Sequence, residues 1–432
     1  MARWLLVKVR RTPETMNRLA PSCIALCAVL VAAPSLSAQE SAPEPPREGL
    51  IRRTVHNFLN DDAEVGARGF HVGPFHPGLT IPSSGAGVGP ILQLWTPDLG
   101  GSGLDFHASA AYSISGYQYY DAKFGRVPHQ GDRLPRTHRG TSALFPLLDL
   151  ERSAAVSGFH IYLSARHRDY PREDFYGVGA SSLKANRTDY RLKDDFFEGV
   201  IQAKVSRLTL MGRAGLLKPS IHSGTDSLFP NLDLSFNEQT APGLSAAPHF
   251  LHVSAAAWLE LRDQPANPHR GLSLGLAVSR FNDRHANASR FSRVVVDARE
   301  YFPLGSHRHV IALRQVAFFD KPDAGSHVPF YLQPGFGGSS ILRGYGTTRF
   351  RDDKLLALGA EYRLGLHRNV QLALIYEAGE VFPTLNDFRI NQLQHSYGVG
   401  VRLNSPRRVR LRVDLLRSPE RTRLDIKLGP SF

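Results

Sequence analysis

This 432-residue sequence predicts an all-β fold, an antiparallel transmembrane β-barrel of about sixteen strands. Three observations carry that prediction. The chain opens with an export signal. Runs with a period of two recur from about residue 70 to the C-terminus, apolar on one side and polar, charged or glycine on the other. No segment after the signal has the roughly 18 consecutive apolar residues of a membrane helix. A chain of this kind can enter a membrane only as a barrel, which satisfies its backbone groups in lipid without helices.

Residues 1–38 read as a signal peptide. Arg10, Arg11 and Arg18 precede the apolar run 24–33, and Ser35, Ser37 and Ala38 suit cleavage near Ser37 or Ala38. Both cysteines, Cys23 and Cys27, lie inside it. The mature chain would therefore form neither disulfides nor thiolate metal sites. An exported protein without disulfides needs another source of stability, and extensive sheet pairing supplies one. Residues 1–38 hold five Lys/Arg and one Glu, which leaves 47 basic and 38 acidic residues, net +9. Export argues against nucleic acid as the partner of this surplus. A polar lumen and anionic lipid headgroups fit it better.

Residues 39–69 form a Pro-rich extension followed by a short amphipathic helix. Ile51, Val55, Phe58 and Leu59 share one face of residues 49–64. A helix resting on the barrel, a plug in its lumen and a helix for a periplasmic partner all stay open.

Residues 70–432 form the barrel. Residues 85–96 and 104–116 read as a first hairpin around residues 98–101, and 117–127 continues it. Residues 128–139 are a polar loop. Weaker strands follow near 142–152 and 156–168, then a loop at 169–188. Strands at 190–205 and 208–217 precede a long loop at 218–248. Clearer strands follow at 249–262, 271–281, 291–302 and 309–319. The last five alternate cleanly. In the first of them Leu356, Leu358, Ala360, Tyr362 and Leu364 interleave with Ala357, Gly359, Glu361 and Arg363. In the second Leu372, Leu374 and Tyr376 interleave with Ala373, Ile375 and Glu377, and in the fourth Val409, Leu411 and Val413 interleave with Arg408, Arg410, Arg412 and Asp414. A soluble sandwich also alternates, with its apolar faces packed together. Export, the absence of cysteine from the mature chain, alternating short and long connections and an arginine-rich polar face favour the membrane barrel.

The connection from Asp320 to Lys354 is long for a compact domain, and such loops are functional or disordered. Phe336, Tyr345 and Phe350 would anchor it. Its centre, GFGGSSILRGYGTTRF (residues 335–350), carries Arg343 beside Gly344 and Tyr345. By parity Glu361 and Glu377 face inward on the next two strands. A loop folded back into the barrel would bring Arg343 to both, and a planar guanidinium suits two carboxylates. Neither Gly-x-Ser-x-Gly nor His-Glu-x-x-His occurs. His307 and His309 share a face at a turn and read as solvated. Asp105 and Asp121 support no catalytic role. No enzyme activity, cofactor or metal site is expected.

Several motifs of the C-terminal part resemble the bacterial surface-antigen (BamA/TamA-like) outer-membrane barrel superfamily. LRDQPANPHRG (residues 261–271) resembles its mid-barrel Arg-Asp…Pro…Gly segment, GGSSILRGYG (337–346) its sixth-loop arginine motif, LGAEYRL (358–364) and IYEAGEVF (375–382) the strands that follow. PREDFYGVG (171–179) is a weaker match. The resemblance covers about residues 258–432. Glu377 departs from it, since the family strand usually has aspartate there. Members usually carry polypeptide-transport-associated (POTRA) domains before the barrel, and residues 39–69 are too few for one. The resemblance implies a lumen-loop motif at Arg343, Gly344 and Tyr345, and a terminal assembly signal at Phe432. It implies an insertion or translocation pore for outer-membrane proteins or lipids. The alternative is a passive outer-membrane channel that keeps the fold. The implied partners are outer-membrane lipids, unfolded outer-membrane or secreted proteins and a separate periplasmic receptor.

Overall fold

The computed structural model describes residues 72–81, 86–129, 147, 150–151, 154–338, 341–405 and 408–428. The expected signal peptide, the helix at 49–64 and Phe432 lie outside these residues. Eighteen strands follow in order. They are β1 (Phe75–Thr80), β2 (Gly89–Thr96), β3 (Asp105–Tyr112), β4 (Gln118–Gly125), β5 (Gly158–Phe175), β6 (Thr188–Val205), β7 (Leu208–Ser223), β8 (Phe250–Glu260) and β9 (Gly271–Asp283). The second half holds β10 (Arg290–Leu304), β11 (Ser306–Pro322), β12 (Gly335–Phe336), β13 (Phe350–Arg351), β14 (Lys354–His367), β15 (Val370–Phe382), β16 (Gln394–Ser405), β17 (Arg408–Arg417) and β18 (Thr422–Leu428). Sixteen of these form one antiparallel meander, and β12 pairs only with β13 inside the long connection.

Which face is buried decides the environment. Along β9, Ser273, Ala277, Ser279, Phe281 and Asp283 are buried, while Leu272, Leu274, Leu276 and Val278 are exposed. The same inversion recurs on β14 to β18, where Leu358, Leu374, Tyr376, Val399, Leu424 and Ile426 point outward. A water-soluble sandwich buries such residues. An outward apolar face over an inward polar one is the pattern of a lipid-facing barrel wall. Among the described residues no helix is long and apolar enough to cross a membrane.

The sheet curls. Arg349, in the β11–β14 connection, donates to Glu420 between β17 and β18 at 2.8 Å and to the Ser182 carbonyl between β5 and β6 at 2.7 Å. Lys184 reaches the Glu420 carbonyl at 3.3 Å. Connections that join strands far apart in the order are thus brought together. Among the described residues the ladder runs from β1 to β18, and those two end strands share none. At one end the connections are as short as Ser206-Arg207, Gly305 and Arg368-Asn369, and at the other they run long, as at residues 224–249 and 323–353. One buried apolar cluster joins Val200, Met211, Trp258, Ala277, Val295, Val316 and Ala357 of the inner face to Ile341, Leu342 and Tyr345 of the long connection. A second, rich in aromatics, packs Phe175, Tyr190, Phe250, Phe281 and Phe291 under Leu232, Val328, Phe330 and Tyr331 at the long-loop end.

Three sequence-based expectations are corrected. Residues 218–223 continue β7, paired with β6, and do not belong to the loop. Residues 169–175 belong to β5 and not to a loop, because β5 and β6 stay paired through a register shift between Tyr170 and Glu173. Pro171 sits at that irregularity, where a missing N–H costs no ladder bond. None of the described residues within 142–152 is in a strand. β4 pairs directly with β5, from Gln118↔Asp169 to Gly125↔Tyr162, so no edge is left for one. The described residues there, Leu147, Leu150 and Glu151, are helical and turned inward.

Sixteen consecutively paired strands, cross-linked inside, should resist detergent. Unheated protein in SDS is expected to migrate faster than boiled protein. Identical migration before and after boiling would count against a barrel this tightly held.

Candidate functional site

Period-two alternation puts Glu361 of β14, Glu377 of β15, Arg402 of β16, and Arg412 and Asp414 of β17 on the inner wall. All five are buried. The chain from β11 then folds back among them. Leu342 takes a left-handed conformation (φ 49°), uncommon for a branched residue, and it turns the next residue toward the wall. Gly344 follows because the wall is close. A Cβ there would lie 2.6 Å from Cβ of Ser396 and 3.3 Å from that of Ser418.

Arg343 is 1% exposed and its guanidinium meets three carboxylates. Nε donates to Glu377 Oε1 at 2.6 Å, Nη2 to Glu361 Oε1 at 2.9 Å and Nη1 to Asp414 Oδ2 at 2.8 Å. Its backbone N–H also donates to Glu377 Oε2 at 2.7 Å, and Ser396 Oγ donates to the same oxygen at 3.0 Å. Burial alone would lower the Arg343 pKa, but the carboxylates outweigh it and raise the pKa further, so the charge is permanent.

The wall balances the excess of acid. Arg363 Nε donates to Glu361 Oε2 at 3.0 Å, and Arg402 reaches both Asp414, in a short hydrogen bond, and Glu361 at 3.3 Å. Arg412 Nε lies 3.1 Å from Asp414 Oδ2, and its Nη2 donates to Asp425 at 2.7 Å. Four guanidiniums, of Arg343, Arg363, Arg402 and Arg412, thus face four carboxylates, of Glu361, Glu377, Asp414 and Asp425. A paired network of this kind tolerates burial where a lone charge does not.

The backbone is clasped as well. Ser418 Oγ donates to the Gly344 carbonyl at 3.0 Å, and Arg421 and Arg423 each donate to the Tyr345 carbonyl at 3.0 Å. Tyr345 donates its hydroxyl to the His395 carbonyl at 3.2 Å, and its ring sits 5.5 Å from that of Phe350. Chemically the arrangement is an anchor. It fixes a loop in the lumen through a group that keeps its proton.

Of the residues singled out from the sequence, Arg343, Gly344, Tyr345, Glu361 and Glu377 come together. Asp414, Arg402, Arg412 and Arg363 were missed as members. Their signal was the same inward parity, with Asp414 the lone acid beside Arg408, Arg410 and Arg412 on its strand. His307 stands edge-on to His269 at 5.9 Å and His309 Nδ1 lies 2.6 Å from the Tyr362 hydroxyl. Asp105 accepts the backbone N–H groups of Asp98 and Val127, and Asp121 accepts from Ser109 in a short hydrogen bond. Among the described residues no group of three or more His, Cys, Asp or Glu could hold a metal ion.

Residues 248–416 match the Omp85 superfamily domain. No curated protein sequence matches the chain significantly. Among solved structures, BamA from Haemophilus ducreyi lacking POTRA domains 1–3 is similar at 12% identity and TM-score 0.56, over 82% of this chain and 68% of that one. CdiB from Acinetobacter baumannii aligns at 11% identity and TM-score 0.46, over 79% of this chain and 57% of that one. CdiB from Escherichia coli aligns at 12% identity and TM-score 0.44, over 83% and 62%. Identities this low bear on the fold alone. A sixteen-stranded antiparallel sheet, apolar outside and charged within, with an inward loop pinned at Arg343, thus has a BamA-like barrel fold, and its residues 248–416 match the Omp85 superfamily domain.

Proposed function

We propose that the protein is an insertion or translocation barrel of the bacterial outer membrane, reached after export and signal cleavage, that handles outer-membrane proteins or lipids without catalysing a reaction. One observation carries the reading, namely the loop held inside the lumen by Arg343 against Glu361, Glu377 and Asp414. A passive pore gains nothing from a loop that fills it. A barrel that remodels its interior around a passenger needs a firmly seated element whose position can matter. Unfolded outer-membrane or secreted chains, surrounding lipids and a separate periplasmic receptor are the partners this reading implies.

Depletion in the native host tests it. The abundance of other outer-membrane barrels, or the surface exposure of a lipid, should fall before growth slows. A steady, open ion conductance in planar bilayers, with unchanged levels of other barrels on depletion, would support the passive channel instead.

A further inference from the structure

The outer face of the wall changes character at the long-loop end of β9, β10 and β11. Alternation points Arg280 outward between the buried Ser279 and Phe281, and Ser292 outward between the buried Phe291 and Arg293. Lys321 points outward next to the buried Asp320 and is exposed. Ser292 pairs with Arg280 on one side and with Lys321 on the other, so the three lie in one row across the strands. Neighbouring strands are ~4.8 Å apart, which sets the two cationic positions roughly 10 Å apart with a small serine between them. Arg290, the next outward residue of β10 toward the long-loop end, is exposed and stands over that gap.

The rows below are apolar. Val278, Val294 and Phe319 make the next one, and Leu276, Val296 and Ala317 the one after. At the short-turn end the same face carries Glu300 between Leu272 and Leu313, an acid in place of the cations. The long-loop end is therefore basic directly above an apolar wall, as a lipid headgroup lies above its chains. Its charge is partly balanced from within. Arg280 Nη1 donates to Asp323 Oδ1 at 2.8 Å and to Ser292 Oγ at 3.2 Å, and Nη2 donates to Asp323 Oδ2 in a shorter bond. Hydrogen bonds from Arg280, with the charges of Arg280, Arg290 and Lys321, hold the Asp323 carboxyl below the ordinary carboxylate range. Within this cluster three cations thus act on one carboxylate, and the excess positive charge faces the membrane boundary.

We propose that Arg280, Arg290 and Lys321 form an external site for a phosphate-bearing lipid of the outer leaflet. The phosphate sits over Ser292 among the three cations, and the chains lie along Val278, Val294 and Phe319. A guanidinium fork suits phosphate oxygens, and the lysine adds a compact charge on a flexible stem. Continuity with the apolar rows selects a lipid over free phosphate or an acidic protein. The site rests on the outer-membrane placement of the barrel and not on the insertion or translocation reading.

Binding of phosphatidic acid to the purified full-length protein in dodecyl maltoside micelles tests the site, with heat-shifted migration as the control for folding. Phosphatidic acid should bind at least about tenfold more tightly than diacylglycerol, which has the chains without the phosphate, and than inorganic phosphate, which has no chains. Arg280→Gln, Arg290→Gln and Lys321→Gln should each weaken it about fivefold, the worth of one basic residue at an anionic surface. Added salt should weaken it in the wild type. Asp323→Asn removes the competing carboxylate and should tighten binding. Ser292→Cys, with Cys23 and Cys27 replaced by serine, places a readout at the site itself. Phosphatidic acid should slow its labelling by a hydrophilic maleimide, and diacylglycerol should not. Equal affinity of the wild type and the folded triple glutamine variant, or equal protection by the two lipids, would overturn the site. Inorganic phosphate bound as tightly as phosphatidic acid would overturn a lipid as its occupant.

Discussion

Arg343→Ala should free the Gly-rich loop and abolish function while the barrel still reaches the membrane. The guanidinium alone meets Glu377, Glu361 and Asp414, and all three are buried. Its loss takes the guanidinium from Glu377, while Glu361 keeps Arg363 and Arg402 and Asp414 keeps Arg402 and Arg412, and breaking a buried pair costs about 3–5 kcal/mol. The remaining clasp, from Ser418, Arg421 and Arg423 to loop carbonyls, consists of hydrogen bonds of about 0.5–1.5 kcal/mol each, more where the donor is charged. Neither Arg343 nor its loop belongs to the sixteen-strand ladder, so insertion should be spared. Arg343→Lys should rescue poorly, because a compact ammonium cannot reproduce a planar fork spread over three carboxylates. Protease added to whole cells should cut the loop in the alanine variant and spare it in the wild type. Equal resistance would mean that something else holds the loop.

Asp414→Ala should do damage of a different kind. Asp414 is a wall residue that takes hydrogen bonds from Arg343 and Arg402 and lies within 3.1 Å of Arg412. Removing it leaves Arg402 and Arg412, each 1% exposed, facing each other across β16 and β17 with one carboxylate fewer. The barrel itself should weaken, so the temperature at which the SDS-resistant form is lost should drop by several degrees, and the loop should become protease-sensitive too. Asp414→Asn keeps the shape and an acceptor but not the charge, and should fall between. An Asp414→Ala barrel that survives to the wild-type temperature would show that the wall does not depend on this charge balance.

Much of this was legible in the sequence, for a definite reason. A two-residue period fixes which side each residue faces. Glu361 and Glu377 were therefore placed inward, toward a loop whose glycines and Arg343 had no other evident use. Asp414 had the same parity, but nothing in the chain gives the tilt and stagger that bring β17 opposite the loop tip, so its part was not visible. The backbone N–H bond from Arg343 to Glu377 depends on the left-handed turn at Leu342, and no rule would assign that turn to leucine. The stretch around Leu147 and Leu150 reads as a weak strand in the sequence but is helical where it is described. Its buried residues Leu147, Leu150 and Ala154 are spaced i, i+3 and i+7, a helical interval that the neighbouring apolar residues obscured.

The Arg343 anchor also orders events in time. Every ladder in the sheet joins neighbours along the chain, so strands can be added one after another as they become available. The anchor obeys a different rule, for its three partners lie 18, 34 and 71 residues downstream. Glu361 and Glu377 are in place once β14 and β15 are added, but Asp414 arrives only with β17. Long-range contacts of this kind come late, since the chain must be largely arranged before they form. The loop therefore cannot be fully seated until the wall is nearly built, and a seated loop reports that the wall is complete.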